Sequence, residues 1–253
     1  MKKEIRVFFT ALMFYTRIPC PKWVDHSEEY LNKATRYFPL IGWIVGFLSA
    51  AVFWATSFFF SKEVSLILSM ITSILVTGAF HEDGFADVCD GFGGGWTKEK
   101  ILLIMKDSRV GAYGAIGIFL LLLLKFFLLL SIDATLVPLC LITAHALSRW
   151  CAATFIFTHV YSRDDDSSKS KPVANNITLT NLLTATLFGI LPLVLFNSIF
   201  IFLIIIPIYL TKFFLGNYFK KWIGGYTGDC LGATQQLTEI VFYLSFIVLW
   251  KYI

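Results

Sequence analysis

Apolar stretches close to the length of a membrane-spanning helix constrain this chain more than any other feature. A helix needs about 20 mostly apolar residues to cross a bilayer, and 57% of the residues here are hydrophobic. Inside lipid, backbone polar groups must bond to each other, so a spanning segment is either a helix or part of a closed barrel. The stretches lack the alternation of barrel strands. The sequence therefore predicts an all-α, polytopic integral membrane protein that folds as a helical bundle.

We predict about seven transmembrane helices. They cover residues 38–60, 63–80, 112–132, 135–159, 179–196, 198–216 and 233–252. Pro192, Asn197 and Pro207 interrupt the fifth and sixth segments, for which re-entrant segments are the alternative. Residues 4–18 combine charges with an apolar face and predict an interfacial helix. Without a repeat or a soluble domain, residues 1–253 are interpreted as one membrane-embedded domain.

Basic residues orient the chain. They concentrate in the N-terminal segment and in the loops after the second, fourth and sixth spans, whereas the alternate connections hold only Lys62 and Lys251. The positive-inside rule therefore predicts a cytoplasmic N-terminus and cytoplasmic motif loops in a bacterial-type cytoplasmic (inner) membrane. No nucleic-acid-binding motif accompanies the net charge of +4, so we expect no nucleic-acid partner. The five cysteines lack CxxC spacing and indicate neither disulfides nor zinc.

The stretch HEDGFADVCDGFGGG, residues 81–95, crowds four carboxylates behind an apolar run. If the second helix continues through it, Asp83, Asp87 and Asp90 lie at i, i+4 and i+7 and share one face. Carboxylate oxygens in such an arrangement suit Mg²⁺, Mn²⁺ or Ca²⁺. Glu82 is a fourth candidate ligand. The alternative is a solvated acidic loop at the membrane surface.

Two further stretches on the same predicted side suit phosphate groups. KDSRVGAYGAIG begins at Lys106 and contains Arg109, and GGYTGDCLGATQQLTE contains Gly225, Thr227 and Asp229. Cations and free backbone N–H groups bind phosphate oxygens. Each stretch alone also fits a simple turn, and an aspartate between glycines commonly bonds its own backbone. No Walker A motif is present, so the joint placement of the three stretches carries the prediction.

The fourth predicted span contains His145 and Arg149, four residues apart. An arginine inside a membrane span is a candidate functional residue, and its alternative is structural pairing, here with Glu239 in the last span. We interpret His145 as a hydrogen-bonded histidine of the bundle. Lys125 lies nearer the outer end of its span, so we expect it to extend toward the membrane surface.

The acidic stretch resembles the signature H-x-D-G-x-A-D-x-x-D-G-x-G-G-G of the adenosylcobinamide-GDP ribazoletransferase family, also called cobalamin-5'-phosphate synthases. TRIPCP near the N-terminus, DSRVGAYG, SRW in the fourth span and GGYTGDCLGA are similar to other recurring stretches of that family, in the same order over nearly the whole chain. Glu82 occupies a position that is often apolar in the family.

The resemblance implies a transferase of cobalamin biosynthesis. Such an enzyme joins adenosylcobinamide-GDP to α-ribazole, or to α-ribazole 5'-phosphate, and releases GMP by Mg²⁺-assisted phosphoryl transfer. The expected partners are these small molecules and membrane lipid, and the sequence leaves a homo-oligomer open. The candidate catalytic residues are Asp83, Asp87, Asp90, Arg109 and Arg149. The candidate substrate-binding residues are His81, Lys106, Gly225, Thr227 and Asp229, and the candidate metal ligands are Glu82, Asp83, Asp87 and Asp90.

Two other functions compete with this interpretation. CDP-alcohol phosphotransferases of lipid synthesis also place aspartates on a helix, in a DGxxAR motif, but here Asp87 stands where that motif has arginine. A divalent-cation transporter is the second alternative. It predicts acidic residues within the spans, where Glu239 is nearly the only one.

Overall fold

The computed structural model describes residues 2–24, 27–162 and 178–253. These residues form a helical bundle and no β-sheet, apart from an isolated parallel bridge between Tyr161 and Tyr226. The α-helices are α1 Lys2–Tyr15, α2 Glu28–Ala34, α3 Phe38–Thr56, α4 Lys62–Thr77, α5 Phe80–Gly94, α6 Lys98–Ile104, α7 Ala112–Ser131, α8 Val137–Thr158, α9 Leu179–Ile190, α10 Ile205–Ile223 and α11 Gly228–Leu249.

The predicted membrane architecture is confirmed. Within the described residues, six helical segments are long and apolar enough to cross a bilayer, and α4 with α5 makes a seventh if this bent pair counts as one span. The six segments are Glu29–Thr56, Ala112–Ser131, Val137–Thr158, Leu179–Phe196, Ile199–Ile223 and Gly228–Leu249. Large apolar side chains such as Phe47, Ile116 and Phe213 are exposed, as lipid-facing positions require.

The interrupted fifth and sixth spans are both present. After α9 the chain continues as a 3₁₀ helix, Leu191–Phe196, and Asn197 (φ 53°) turns it into a second 3₁₀ helix, Ile199–Ile204, which leads into α10. The sixth span therefore ends at Ile223 rather than at residue 216. Proline and a left-handed asparagine are accommodated because they lie in 3₁₀ segments and at the turn between the spans.

The second predicted span is wrong in one important respect. The helix does not continue into the acidic stretch, because α4 ends at Thr77 and α5 leaves it at an angle of 88°. Gly78 (φ 68°) and Ala79 (φ 57°) both have left-handed backbone conformations, which end a helix. The side chain of Arg17 packs over Gly78, where a Cβ atom would obstruct it. The acidic stretch is therefore a separate helix.

Two helix boundaries at the polar end of the bundle also differ from the prediction. The helix ahead of the first span is confirmed, but it ends at Tyr15 rather than at residue 18. The last helix begins at Gly228, five residues before the predicted 233, because the side chain of Thr227 accepts a hydrogen bond from the backbone N–H of Cys230 and caps it. The earlier start includes Asp229 in the first turn.

Candidate active site where α5, α7 and α11 meet

Glycines bring α5 and α11 into backbone contact. A Cβ atom at Gly84 would lie 3.0 Å from the Cα atom of Asp229, and one at Gly232 would lie 3.1 Å from the backbone oxygen of His81. Small residues at a helix crossing allow this close approach. The acidic stretch and the late glycine-rich stretch, far apart in sequence, therefore meet as the joint prediction requires.

Asp90 connects α5 to the beginning of α7. Its two carboxylate oxygens accept hydrogen bonds from the backbone N–H groups of Gly111 (2.7 Å) and Gly114 (2.8 Å). A Cβ atom at either glycine would overlap this carboxylate. The contact satisfies two N–H groups at the start of α7 that have no partner within the helix. Asp90 therefore has a structural role that its spacing in the sequence did not indicate.

The third stretch contributes cations near this contact. Lys106 and Arg109 are both exposed, and Arg109 follows α6 by a few residues and precedes Gly111 by two. Its guanidinium donates to both oxygens of Asp107, one of them at 2.7 Å, and this hydrogen bond lowers the pKa of Asp107 to about 2. An exposed ion pair contributes little to stability, so a phosphate group can compete with Asp107 for Arg109.

The remaining carboxylates of α5 have different surroundings. Asp83 is exposed and Asp87 is half-buried, and the helix places both on the arc that contains Asp90. Glu82 is 8% exposed and accepts a hydrogen bond from the side-chain amide of Gln236 at 2.9 Å, so it belongs to the packing between α5 and α11. No three His, Cys, Asp or Glu side chains in the described ranges converge into a metal-binding group.

The glycines of GGYTGDC serve the path of the chain. Gly224 (φ 79°) has the left-handed conformation that ends α10. Gly225 lies against the backbone carbonyl of Val160, where a Cβ atom would overlap it, and the N–H of Tyr226 donates to that carbonyl at 3.0 Å. The predicted substrate contact of Gly225 therefore coincides with a local structural role.

Thr227 and Asp229 define the beginning of α11. Thr227 is fully buried and caps the helix, and its hydroxyl lies 3.4 Å from an Asp229 carboxylate oxygen. A carboxylate in the first turn is favoured by the helix dipole. Asp229 is thus held on a helix beside Gly84 rather than in a flexible turn.

A buried polar network lies between α7, α8 and α11. Glu239 pairs with Lys125 and with His145, whose Nδ1 atom is 2.5 Å from its carboxylate. Gln235 donates to the same carboxylate at 2.7 Å. The expectation for Lys125 was wrong, because this lysine is 2% exposed. The carboxylate accounts for its burial, since a buried charge requires a partner.

Arg149 belongs to the same network. Its guanidinium is 3.1 Å from Nδ1 of His145, donates to the His145 backbone oxygen at 3.0 Å and lies 3.9 Å from Glu239. Its Cζ atom is 5.8 Å from the centre of the Phe38 ring. These contacts correspond to the structural alternative for Arg149, and His145 is the hydrogen-bonded bundle histidine that we predicted.

A pocket of about 520 Å³ opens beside the crossing of α5 and α11. The lining residues are Phe14, Tyr15, Phe38, Phe80, His81, Ile156, Tyr161, Tyr226, Gly228, Leu231 and Gly232. His81, predicted to bind substrate, is 2% exposed, and its Nε2 atom has no hydrogen-bond partner among the described residues. The motif search missed the aromatic walls of this pocket, although Phe80 and Tyr226 adjoin two of the motifs.

Comparison with known proteins gives the family. The family model described as cobalamin-5-phosphate synthase matches residues 7–247. A protein of Shewanella frigidimarina named adenosylcobinamide-GDP ribazoletransferase is 47% identical over 246 residues, which cover 96% of this chain and 94% of that protein. A protein of the same name from Shewanella oneidensis is 47% identical over 249 residues, 97% of this chain and 95% of its own. No solved structure matches the chain. The chain therefore belongs to the cobalamin-5-phosphate synthase family, and it is a membrane-embedded transferase of cobalamin biosynthesis.

Proposed function

We propose that this protein joins adenosylcobinamide-GDP to α-ribazole, or to α-ribazole 5'-phosphate, and releases GMP. The names of its relatives support the two substrates. The single observation that supports the chemistry is the meeting of three polar stretches, with the carboxylates of α5 beside Asp229 of α11 and, through Asp90, beside the loop that carries Arg109. Neither lipid-synthase chemistry nor ion transport is needed to explain this grouping.

The carboxylates suit a magnesium ion. Asp83 is exposed at the protein surface, and Gly84 next to it allows the first turn of α11, with Asp229, to approach closely. Carboxylate oxygens are the ligands that Mg²⁺ prefers, commonly one or two together with substrate phosphates. Asp83, Asp87 and Asp229 would hold the ion. When bound, Mg²⁺ neutralises pyrophosphate charge and orients the leaving group.

The residues of the chain then divide the work of the transfer. A ribose hydroxyl oxygen of ribazole forms a bond to the cobinamide-side phosphorus, the bond from that phosphorus to the bridging oxygen breaks, and GMP leaves with that oxygen. Both oxygens of Asp90 already accept backbone N–H groups, so one of the other carboxylates receives the hydroxyl proton. Lys106 and Arg109 bind the negative phosphate oxygens. Arg149, behind Phe38, acts as a positioning residue.

The proposed reaction takes place on the cytoplasmic side. The ends of α5, α7 and α11 that meet at the site adjoin loops rich in lysine and arginine, which the positive-inside rule assigns to the cytoplasm. Of these loops, the one after α8 continues into residues 163–177, which lie outside the described residues.

A turnover assay tests the proposal. Purified protein in detergent is given adenosylcobinamide-GDP, α-ribazole 5'-phosphate and Mg²⁺, and GMP and cobalamin phosphate are quantified. We expect Asp83→Asn and Asp87→Asn each to lower kcat by at least about 100-fold, because charge neutralisation dominates this chemistry. Glu99→Gln is the matched control, since Glu99 is an exposed carboxylate in the first turn of α6, outside the proposed site.

Two results would refute the proposal. The function fails if wild-type protein forms no cobalamin product from these substrates. The metal assignment fails if turnover continues at the full rate in excess EDTA, or if both asparagine variants keep wild-type kcat while their helical content and melting temperature equal those of Glu99→Gln.

A further inference from the structure

The pocket beside the crossing of α5 and α11 has features that the transfer chemistry does not require. Seven of its eleven lining residues carry an aromatic ring, and none carries a charge at neutral pH with histidine neutral. The rings of Tyr15 and Phe38 are stacked at 4.1 Å, and Phe38 in turn lies 5.6 Å from the His81 ring. Aromatic walls of this kind favour a planar, largely apolar ligand.

Two polar atoms in this lining are buried without a partner. Nε2 of His81 and the hydroxyl of Tyr226 make no hydrogen bond within the part of the chain that the structure describes, and both residues are at most 2% exposed. Burial raises the pKa of Tyr226, so its hydroxyl remains protonated and can donate. Buried polar groups normally have hydrogen-bond partners, and an unpaired one is costly. A ligand with a ring nitrogen can supply one.

The pocket also lies next to the proposed reacting groups. His81 precedes Asp83 by two residues, and Gly228, another lining residue, directly precedes Asp229. A heterocycle in the pocket can therefore have its attached ribose at the carboxylates. The volume of about 520 Å³ falls within the usual range for small ligands, roughly 300–1,000 Å³, and is small for a corrinoid.

We propose that this aromatic pocket binds the heterocyclic base of the ribazole substrate, with His81 Nε2 or the Tyr226 hydroxyl donating a hydrogen bond to the free ring nitrogen of the base. The inference rests on the proposed function and assigns one of its two substrates a place. A methylated benzimidazole has a single free ring nitrogen and an otherwise apolar surface. Guanine carries several donors and acceptors, which this lining would leave unpaired.

Direct binding tests the pocket independently of turnover. Free dimethylbenzimidazole is measured by equilibrium dialysis against wild-type protein, Leu231→Phe, which fills the pocket, and Phe58→Ala, which removes an exposed aromatic ring far outside it. We expect wild-type and Phe58→Ala protein to bind the base equally, and Leu231→Phe to bind it at least about tenfold more weakly, because the added ring occupies the same space. Equal binding by all three proteins would overturn the proposal.

Kinetics then distinguish a base site from a general effect on the enzyme. Phe80→Ala should raise KM for α-ribazole by about tenfold, the order expected for a lost aromatic contact, and leave KM for adenosylcobinamide-GDP unchanged. In wild-type protein, free base should compete with α-ribazole only. If Phe80→Ala changes neither KM while wild-type protein remains active, the pocket inference is wrong and the proposed function stands.

The polar atoms have their own test. Indole has the shape of benzimidazole but lacks the acceptor nitrogen, so wild-type protein should bind benzimidazole about tenfold more tightly than indole, as one hydrogen bond predicts. His81→Phe and Tyr226→Phe each keep an aromatic wall, and at least one of them should lose this preference. A preference retained in both variants would refute the hydrogen-bond assignment, and copurified phospholipid that base cannot displace would identify an acyl chain as the occupant.

Discussion

The crossing of α5 and α11 allows a sharp prediction about Gly84. A Cβ atom there would lie 3.0 Å from the Cα atom of Asp229 and 3.1 Å from its backbone oxygen. Non-bonded carbon atoms prefer separations of about 3.5–4.0 Å. Gly84→Ala must therefore push the two backbones apart by roughly 0.5–1 Å. Both neighbouring atoms are backbone atoms, so rotation of a side chain cannot relieve the contact.

The expected effect falls on catalysis more than on stability. A displacement of about 1 Å can cost about 100-fold in rate, so we expect kcat of Gly84→Ala to fall by between about tenfold and 100-fold. Alanine favours a helix over glycine by about 1 kcal/mol, which offsets part of the 1–3 kcal/mol or so that overpacking costs. The melting temperature in detergent should therefore change little.

Gly94→Ala is the matched control on the same helix. Its added Cβ atom would meet only the Cδ1 atom of Ile104, at 3.4 Å, which flexible side-chain packing can absorb. Both variants are assayed for GMP release and for thermal unfolding in detergent. The reasoning is refuted if Gly84→Ala keeps wild-type kcat, or if its loss of activity is matched by an equal loss in Gly94→Ala.

Three further predictions concern other parts of the molecule. Asp90→Ala should lower the free energy of unfolding by about 1 kcal/mol, as for a lost helix cap, and an unchanged melting temperature would contradict its structural role. Glu239→Gln should destabilise by about 3–5 kcal/mol because Lys125 is left buried without a carboxylate. The double variant Lys125→Met/Glu239→Gln should recover most of this loss, and the pairing is unimportant if the single variant melts like wild type. An accessibility tag after Gly95 should report the cytoplasm and one after Ile253 the opposite side, and the same side for both would refute the topology.

The architecture follows from the order of residues to a large extent. The lengths of the apolar stretches predict the spans because lipid allows few alternatives to a helix of about 20 residues. Even the stretch interrupted by Pro192 and Asn197 forms two spans as predicted. The spacing of Asp83, Asp87 and Asp90 also holds, because the acidic stretch is helical on its own.

The surroundings of individual polar residues did not follow from the pattern. Lys125 was expected near the membrane surface, but Glu239, 114 positions away in the chain, holds it inside the bundle. Glu82 resembled its acidic neighbours in sequence, yet Gln236 of α11 accounts for its burial. Each outcome depends on a partner from a distant helix, and a periodic pattern contains no information about which helices become neighbours.

The sequence by itself determined the class of protein, the number of spans and the three stretches that carry its chemistry, since these depend on local composition and spacing. Only the tertiary structure decided how those stretches meet. The left-handed backbone at Gly78 and Ala79 turns α5 out of the second span, and Gly84 lets it contact α11. The same crossing creates the aromatic pocket. Its walls come from five separate parts of the chain, and only packing brings such segments together.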